Sequence, residues 1–260
     1  MKSTSLLVVF SFALLLLFYG CSSTTPPKAE IQSPSAPSKP EMSLQVATLN
    51  LASLNKRIEH KDIVRLAKIL KKEHIEVLAV QNITRYPGLT TRTDFVTELS
   101  KQTDWSNVFG EMANANGKQT GNAVFSFYPI LSHHTQSFDG VASALFESAV
   151  WAMIDAGARS VMMISAALPM KASFEDQKKC IAMLSALNGD DKKQLMILCG
   201  NLPQEESVCT SAGFEEEALA DRPAKVRLWH SQHPQVKMFN TRCLETDLGT
   251  IITTQATFYR

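Results

Sequence analysis

The chain has 260 residues, 45% of them apolar, with 26 basic against 25 acidic side chains. That length suits one large α/β domain or two small ones, and that apolar share supplies a real core. The near-zero charge balance, with no Lys/Arg block in the folded part, argues against a dedicated nucleic-acid binder, which carries a strong basic excess.

The N-terminus reads as a processing segment rather than as fold. Lys2 precedes an apolar run from Leu6 to Tyr19, followed by Gly20 and Cys21. A short charged start, an apolar stretch and a small residue before the cut make residues 1–20 a secretory signal. The run is too short to cross a bilayer, which takes about 20 apolar residues. The tetrad "FYGC" resembles a bacterial lipobox, with Phe18 where a small aliphatic residue is usual. The resemblance implies that Cys21 carries lipid, palmitate included, and becomes the mature N-terminus. An ordinary signal peptide that contains a cysteine is the alternative. Residues 21–42, "CSSTTPPKAEIQSPSAPSKPEM", are rich in Ser, Thr and Pro and cannot bury a core, so they read as an extended tether. Removing residues 1–20 takes away Lys2 alone, leaving 25 basic against 25 acidic residues, so charge does not hold the chain to anionic lipid. The expected place is a bacterial cell envelope, lipid-anchored through Cys21, on the periplasmic or outer-membrane side.

The domain is expected over 43–260. "SLQVATLNL" (43–51) alternates like a strand, and "HKDIVRLAKILKKEH" (60–74) puts Ile63, Val64, Leu66, Ala67, Ile69 and Leu70 on one helical face. "IEVLAVQN" (75–82) is a continuous apolar strand of the kind found at a buried sheet centre. "RTDFVTELSKQTDW" reads as a second amphipathic helix. "SNVFG" and "GNAVFSFYPI" flank Asn116-Gly117, a favoured hairpin pair. "SAVWAMID" and "SVMMISAAL" are two more strands. "SFEDQKKCIAMLSALNGD" is a helix with a Ser173-to-Asp176 cap, and "QLMILCGNLP" is the strand after it. "VKMFN" and "TIITTQATF" are the last two strands. This order predicts an α/β fold with a mixed-sheet sandwich flanked by helices.

Four cysteines lie in the domain. Cys199, in an apolar strand, and Cys180, on an apolar helix face, read as small buried hydrophobes. Cys209 and Cys243 lie in less regular sequence, where an exported chain could pair them or leave them apart. No activating neighbour marks a catalytic cysteine. His230 and His233 have the spacing of a metal pair on one helical turn, but Pro234 and the surrounding sequence read as a solvated loop. His133 and His134 are neighbours in a strand and point to opposite faces, so they do not share one metal.

Five segments in order resemble the endonuclease/exonuclease/phosphatase superfamily. "LQVATLN" is similar to its opening strand, "IEVLAVQN" to the strand ending Gln-Glu, and "GNAVFSFYPI" to Gly-Asn-Ala-x-Leu-Ser-Arg-Tyr-Pro-Ile. "VMMISAALP" is similar to the strand ending Thr-His-Leu, and "LMILCGNLP" to the one ending Gly-Asp-Phe-Asn. The resemblance covers 43–258 and implies a four-layer α/β sandwich, two mixed sheets face to face with helices outside. It also implies a divalent metal, Mg²⁺ or Mn²⁺, and phosphoester hydrolysis.

The site positions depart from that pattern. Asn50, Gln81 and Asn122 keep the family type. Asn82 stands where the metal-binding Glu would be, and Ala167 where a histidine would stabilise the phosphate. Asn201 and Pro203 replace the Asp and Asn of the Gly-Asp-Phe-Asn strand. The terminal Ser-Asp-His, placed near Gly249 to Ile251, is absent, and "QVKMF" has Lys237 where an acidic residue is expected. Mg²⁺ prefers anionic oxygens, an amide has no useful basicity, and phosphoryl transfer depends on positioning and electrostatics. The resulting expectation is a pseudoenzyme with no catalytic residue, no metal and no cofactor, acting as a binding or scaffold module for a protein or glycan partner. One alternative is a divergent metal-dependent phosphoesterase that recruits Asp247 or a nearby Glu with Mg²⁺ or Mn²⁺. Another is a structural envelope protein that acts only through a surface patch.

Overall fold

The computed structural model describes residues 40–259, apart from 53, 55–56, 90, 139, 142–147, 169–171, 190–193, 202–205, 217–226 and 232–235. Asn201 and Glu206 are described by backbone alone. The signal, Cys21, most of the tether, Pro203 and His233 lie outside the described residues.

Twelve strands and four helices are found among the described residues. One sheet holds β1 (Pro40–Asn50), β2 (Val77–Arg85), β3 (Ser106–Ala115), β4 (Lys118–Ser126), β11 (Val236–Thr246) and β12 (Gly249–Tyr259), in the order β11-β12-β1-β2-β4-β3. The other holds β5 (Ile130–Ser137), β6 (Ser148–Asp155), β7 (Ser160–Ala167), β8 (Met196–Asn201), β9 (Phe214–Glu216) and β10 (Arg227–Ser231), in the order β5-β6-β7-β8-β10-β9. Each sheet has one parallel pair, β1 with β2 and β7 with β8. Both are the strands whose C-terminal ends carry the family-like motifs.

Alternation along these strands builds the layers. Leu44 and Val46 on β1, Val77 and Ala79 on β2, Val161 and Met163 on β7, and Ile197 and Cys199 on β8 share one buried cluster. That cluster is the layer between the two sheets. The intervening residues face outward. Ala47, Leu49, Leu78 and Val80 pack with α1 (His60–Lys72) and α2 (Phe95–Thr103). Met162, Ile164, Met196 and Leu198 pack with α3 (Phe174–Ala186) and α4 (Glu206–Ser211). Helix, sheet, sheet, helix is the four-layer α/β sandwich that the resemblance implies.

Local signals set the element ends. At α1, the Glu59 amide donates to the Asp62 carboxylate at 3.0 Å, and the Asp62 amide donates to the Glu59 carbonyl at 3.0 Å. Asp94 caps α2 and Ser173 caps α3, each side chain accepting from a first-turn amide. Asn116 and Gly117 both have positive φ, the requirement of the two-residue turn that joins β3 to β4. Gly200 has φ +140, and a Cβ there would lie 1.9 Å from the Ala166 carbonyl oxygen, so β7 and β8 close on each other only with glycine at that position.

Several boundaries differ from the sequence reading. β1 begins at Pro40 rather than Ser43, because Met42 pairs with Phe258 and packs on the inner layer; Pro40–Met42 are therefore sheet, not tether. A leading proline is tolerated at the first position of a strand. His230 lies in β10, buried, with Nδ1 3.1 Å from the Ser231 carbonyl, rather than in a solvated loop. His133 and His134 lie in strand β5, as expected, and both are exposed. Cys209 is buried beneath the second sheet and Cys243 lies on the edge strand of the first, and no disulfide joins them. Burial pushes the Cys199 thiol far up and the Cys209 thiol up to about 12, the latter opposed by Arg227, so neither supplies a thiolate nucleophile at neutral pH.

Candidate functional site

Going toward the C-terminal ends of β1, β2 and β7, the inner layer turns from apolar to polar. Leu44 and Val46 give way to Thr48 and Asn50, Val77 and Ala79 to Gln81, and Val161 and Met163 to Ser165. These groups are withdrawn from water, so each needs a partner.

Gln81 is fully buried. Its Oε1 accepts from the Thr48 hydroxyl at 3.1 Å, and its Nε2 donates to Ser165 Oγ at 3.0 Å. Ser165 in turn donates to the Val80 carbonyl at 3.0 Å. The chain of bonds ties β2 of one sheet to β7 of the other.

A second network starts at a bulge. Val80 pairs with Ala123 and Ile83 with Gly121, so Gln81 and Asn82 together face Asn122 alone. Asn82 takes φ +59, a left-handed conformation that asparagine tolerates better than most residues. The bulge aims its side chain at the end of β1, where Asn82 Nδ2 donates to Asn50 Oδ1 at 2.9 Å. The same Asn50 oxygen accepts from the Ala52 amide at 2.8 Å. The Asn82 amide donates to Asn122 Oδ1 at 3.1 Å, and Asn122 Nδ2 donates to the Ser148 carbonyl of β6 at 2.8 Å. Asn50, Asn82 and Asn122, far apart in sequence, thus form one hydrogen-bonded line that ends on the opposite sheet.

The remaining site residues flank this line. Ala167 ends β7, buried, and pairs through its backbone with Asn201 at the end of β8. The start of β12 also lies here, since a Cβ on Gly249 would come 3.8 Å from the Asn50 carbonyl oxygen. No histidine or acid occupies that stretch of β12. Asp247, in the adjoining turn, faces away and pairs with Arg65 of α1 at 2.5 Å. Lys237 does not approach the site: β11 is the outer edge of the first sheet, and Lys237 is exposed. The strand that pairs with β8 is β10, which opens Arg227-Leu228-Trp229. Trp229 is buried there.

These residues do not fit a divalent cation. Mg²⁺ demands hard oxygens in an octahedral shell and surrenders its water reluctantly. Asn50 and Asn82 offer neutral carboxamides, and both lone pairs of Asn50 Oδ1 are already taken by N–H donors. Among the described residues no group of three or more His, Cys, Asp or Glu side chains is arranged to hold a metal.

Beside Asn82, on the helix side of the first sheet, opens a cleft of about 370 Å³ lined by Leu54, Arg57, Asn82, Tyr86, Arg92 and Phe95 among others. Sequence reasoning missed it, because its arginines sit in connections with no periodicity and no motif.

No family model and no curated protein matches the sequence. Solved structures match its fold. An endonuclease/exonuclease/phosphatase from Beutenbergia cavernae is 14% identical with a TM-score of 0.64, covering 84% of this chain and 72% of that one. The catalytic domain of human Nocturnin is 12% identical with a TM-score of 0.65, over 83% of this chain and 94% of that one. A mannosyl-6-phosphatase of Bacteroides thetaiotaomicron is 10% identical with a TM-score of 0.57, over 82% and 98%. The chain therefore has the endonuclease/exonuclease/phosphatase fold.

Asn122 carries the tie between the sheets, so Asn122→Ala is expected to cost about 2–3 kcal/mol by leaving the Asn82 amide and the Ser148 carbonyl buried and unpaired. Asn50→Ala, at a half-exposed strand end, is expected to cost about 1 kcal/mol. Urea unfolding of both variants measures this, and equal small losses would contradict the network.

Proposed function

We propose that this chain is a non-catalytic binding or scaffold module on the phosphoesterase fold. The observation that carries the reading is the Asn82-to-Asn50 hydrogen bond. Where the resemblance implies a carboxylate facing a cation, a carboxamide N–H points into the oxygen that would have been the second ligand. A donor in that position repels a cation and closes the site from within. Ala167 offers a methyl group in place of a donor to a transferring phosphoryl group, and transition-state stabilisation by such donors is usually the largest catalytic term. Mg²⁺ and Mn²⁺ are accordingly not cofactors in this reading.

The proposal extends to place and partner. The Leu6–Tyr19 run, Cys21 and the Ser/Pro-rich stretch after it support a lipid anchor in a bacterial envelope, with the domain on a tether. The balanced charge disfavours nucleic acid and leaves a protein or glycan as the partner.

Two assays test these statements. The whole chain, supplied with millimolar Mg²⁺ or Mn²⁺, is expected to hydrolyse p-nitrophenyl phosphate and bis-p-nitrophenyl phosphate no faster than buffer. Metal-dependent turnover that disappears in Asn50→Ala would establish the divergent phosphoesterase instead. In a bacterial host, radiolabelled palmitate is expected in the wild-type chain and not in Cys21→Ala; labelling that survives the substitution would refute the anchor.

A further inference from the structure

The cleft beside Asn82 has a chemistry of its own. Its volume, about 370 Å³, lies in the range of small-molecule sites. One wall is the connection from β1 to α1, contributing Leu51, Leu54 and Arg57, and the other is the connection from β2 to α2, contributing Tyr86 and Arg92, with Phe95 of α2 alongside. The two walls are joined where the Arg57 guanidinium donates to the Thr91 carbonyl. That bond holds Arg57 to the residue before Arg92, and both arginines line the cleft. Arg92 in turn lies over the Tyr86 ring, 3.9 Å from its centroid, a cation–π contact within the cleft wall. Among the described residues, the cleft is lined by two cationic groups and several apolar ones, and by no acidic one.

We propose that this cleft binds an oxyanion carried on an apolar body, with Arg57 and Arg92 gripping the anion and Leu54 and Phe95 receiving the apolar part. Two guanidinium groups lining one cleft repel each other, and an anion bound there relieves that repulsion. Arginine presents paired N–H donors that match the two oxygens of a carboxylate or phosphoryl group. The inference rests on the non-catalytic reading, since it makes the surface beside Asn82 a place of binding rather than reaction. The cleft meets the inter-sheet line at Asn82, which lines the cleft and begins the line that runs through Asn122 to Ser148.

Calorimetry on the whole chain with benzoate, phenyl phosphate and the neutral isostere benzamide tests it. At least one anion is expected to saturate a single site, with benzamide at least tenfold weaker. Arg57→Gln and Arg92→Gln should each weaken the better anion about tenfold while leaving the melting temperature in place. Tighter benzoate assigns a carboxylate ligand, and tighter phenyl phosphate a phosphoryl one; either supports the site. Equal binding of benzamide, no saturation by either anion, or an unchanged affinity in the double Arg57→Gln/Arg92→Gln variant overturns it. Release of phosphate from phenyl phosphate in the presence of Mg²⁺ would overturn the non-catalytic reading alone, so the two failures are distinguishable.

Discussion

The layer between the two sheets cannot be apolar to its end, and everything at the site follows from how its buried polar groups are paired. Thr48, Gln81, Asn122 and Ser165 are shut away from water. An unpartnered buried polar group costs about 1–3 kcal/mol, so four of them left alone would consume much of the stability of a domain. Across the sandwich they satisfy one another: Gln81 reaches Ser165 on the facing sheet, and Asn122 reaches the Ser148 carbonyl. The apolar half of the layer holds the sheets together without direction. The polar half fixes their mutual position, because hydrogen bonds fail outside a narrow range of distance and angle.

The same pairing decides what the strand ends can do chemically. A carboxylate at position 82 would be acceptor-only and would leave Asn50 Oδ1 open toward a cation. The carboxamide at Asn82 donates, and Asn50 is filled. In the proposed non-catalytic reading, this carboxamide closes the end of β1, and the bulge and left-handed backbone at Asn82 are what present it there. The backbone geometry is governed by packing and by Asn122, which takes the amide of residue 82 whatever side chain that residue bears. Fold and chemistry are separable here for that physical reason.

Much of the fold was legible because the continuous apolar runs of β2, β7 and β8 report burial on both faces, and because capping residues and Asn116-Gly117 mark the ends. β10 escaped notice since "RLWHS" is polar in composition, although Trp229, His230 and Ser231 are all buried. The bounds of β5 were not legible, because an edge strand with exposed His133 and His134 needs no alternation. At the site, Asn50, Asn82 and Asn122 were identifiable by motif, but the bulge that brings them together was not: an extra residue leaves no mark on a run already apolar throughout. Placing Lys237 at the site failed because two strands of similar composition, β10 and β11, follow each other and join different sheets.

The account stands on a set of carboxamides, rather than a cation, closing the ends of β1 and β2. Thermal unfolding of the whole chain in EDTA, and then in 10 mM MgCl₂ or MnCl₂ at matched ionic strength, addresses this most directly, since any ligand of the folded state raises its stability by mass action. The account predicts the same melting temperature in all three. A rise of several degrees with either metal, lost in Asn50→Ala, would show that a cation does bind there and would contradict it.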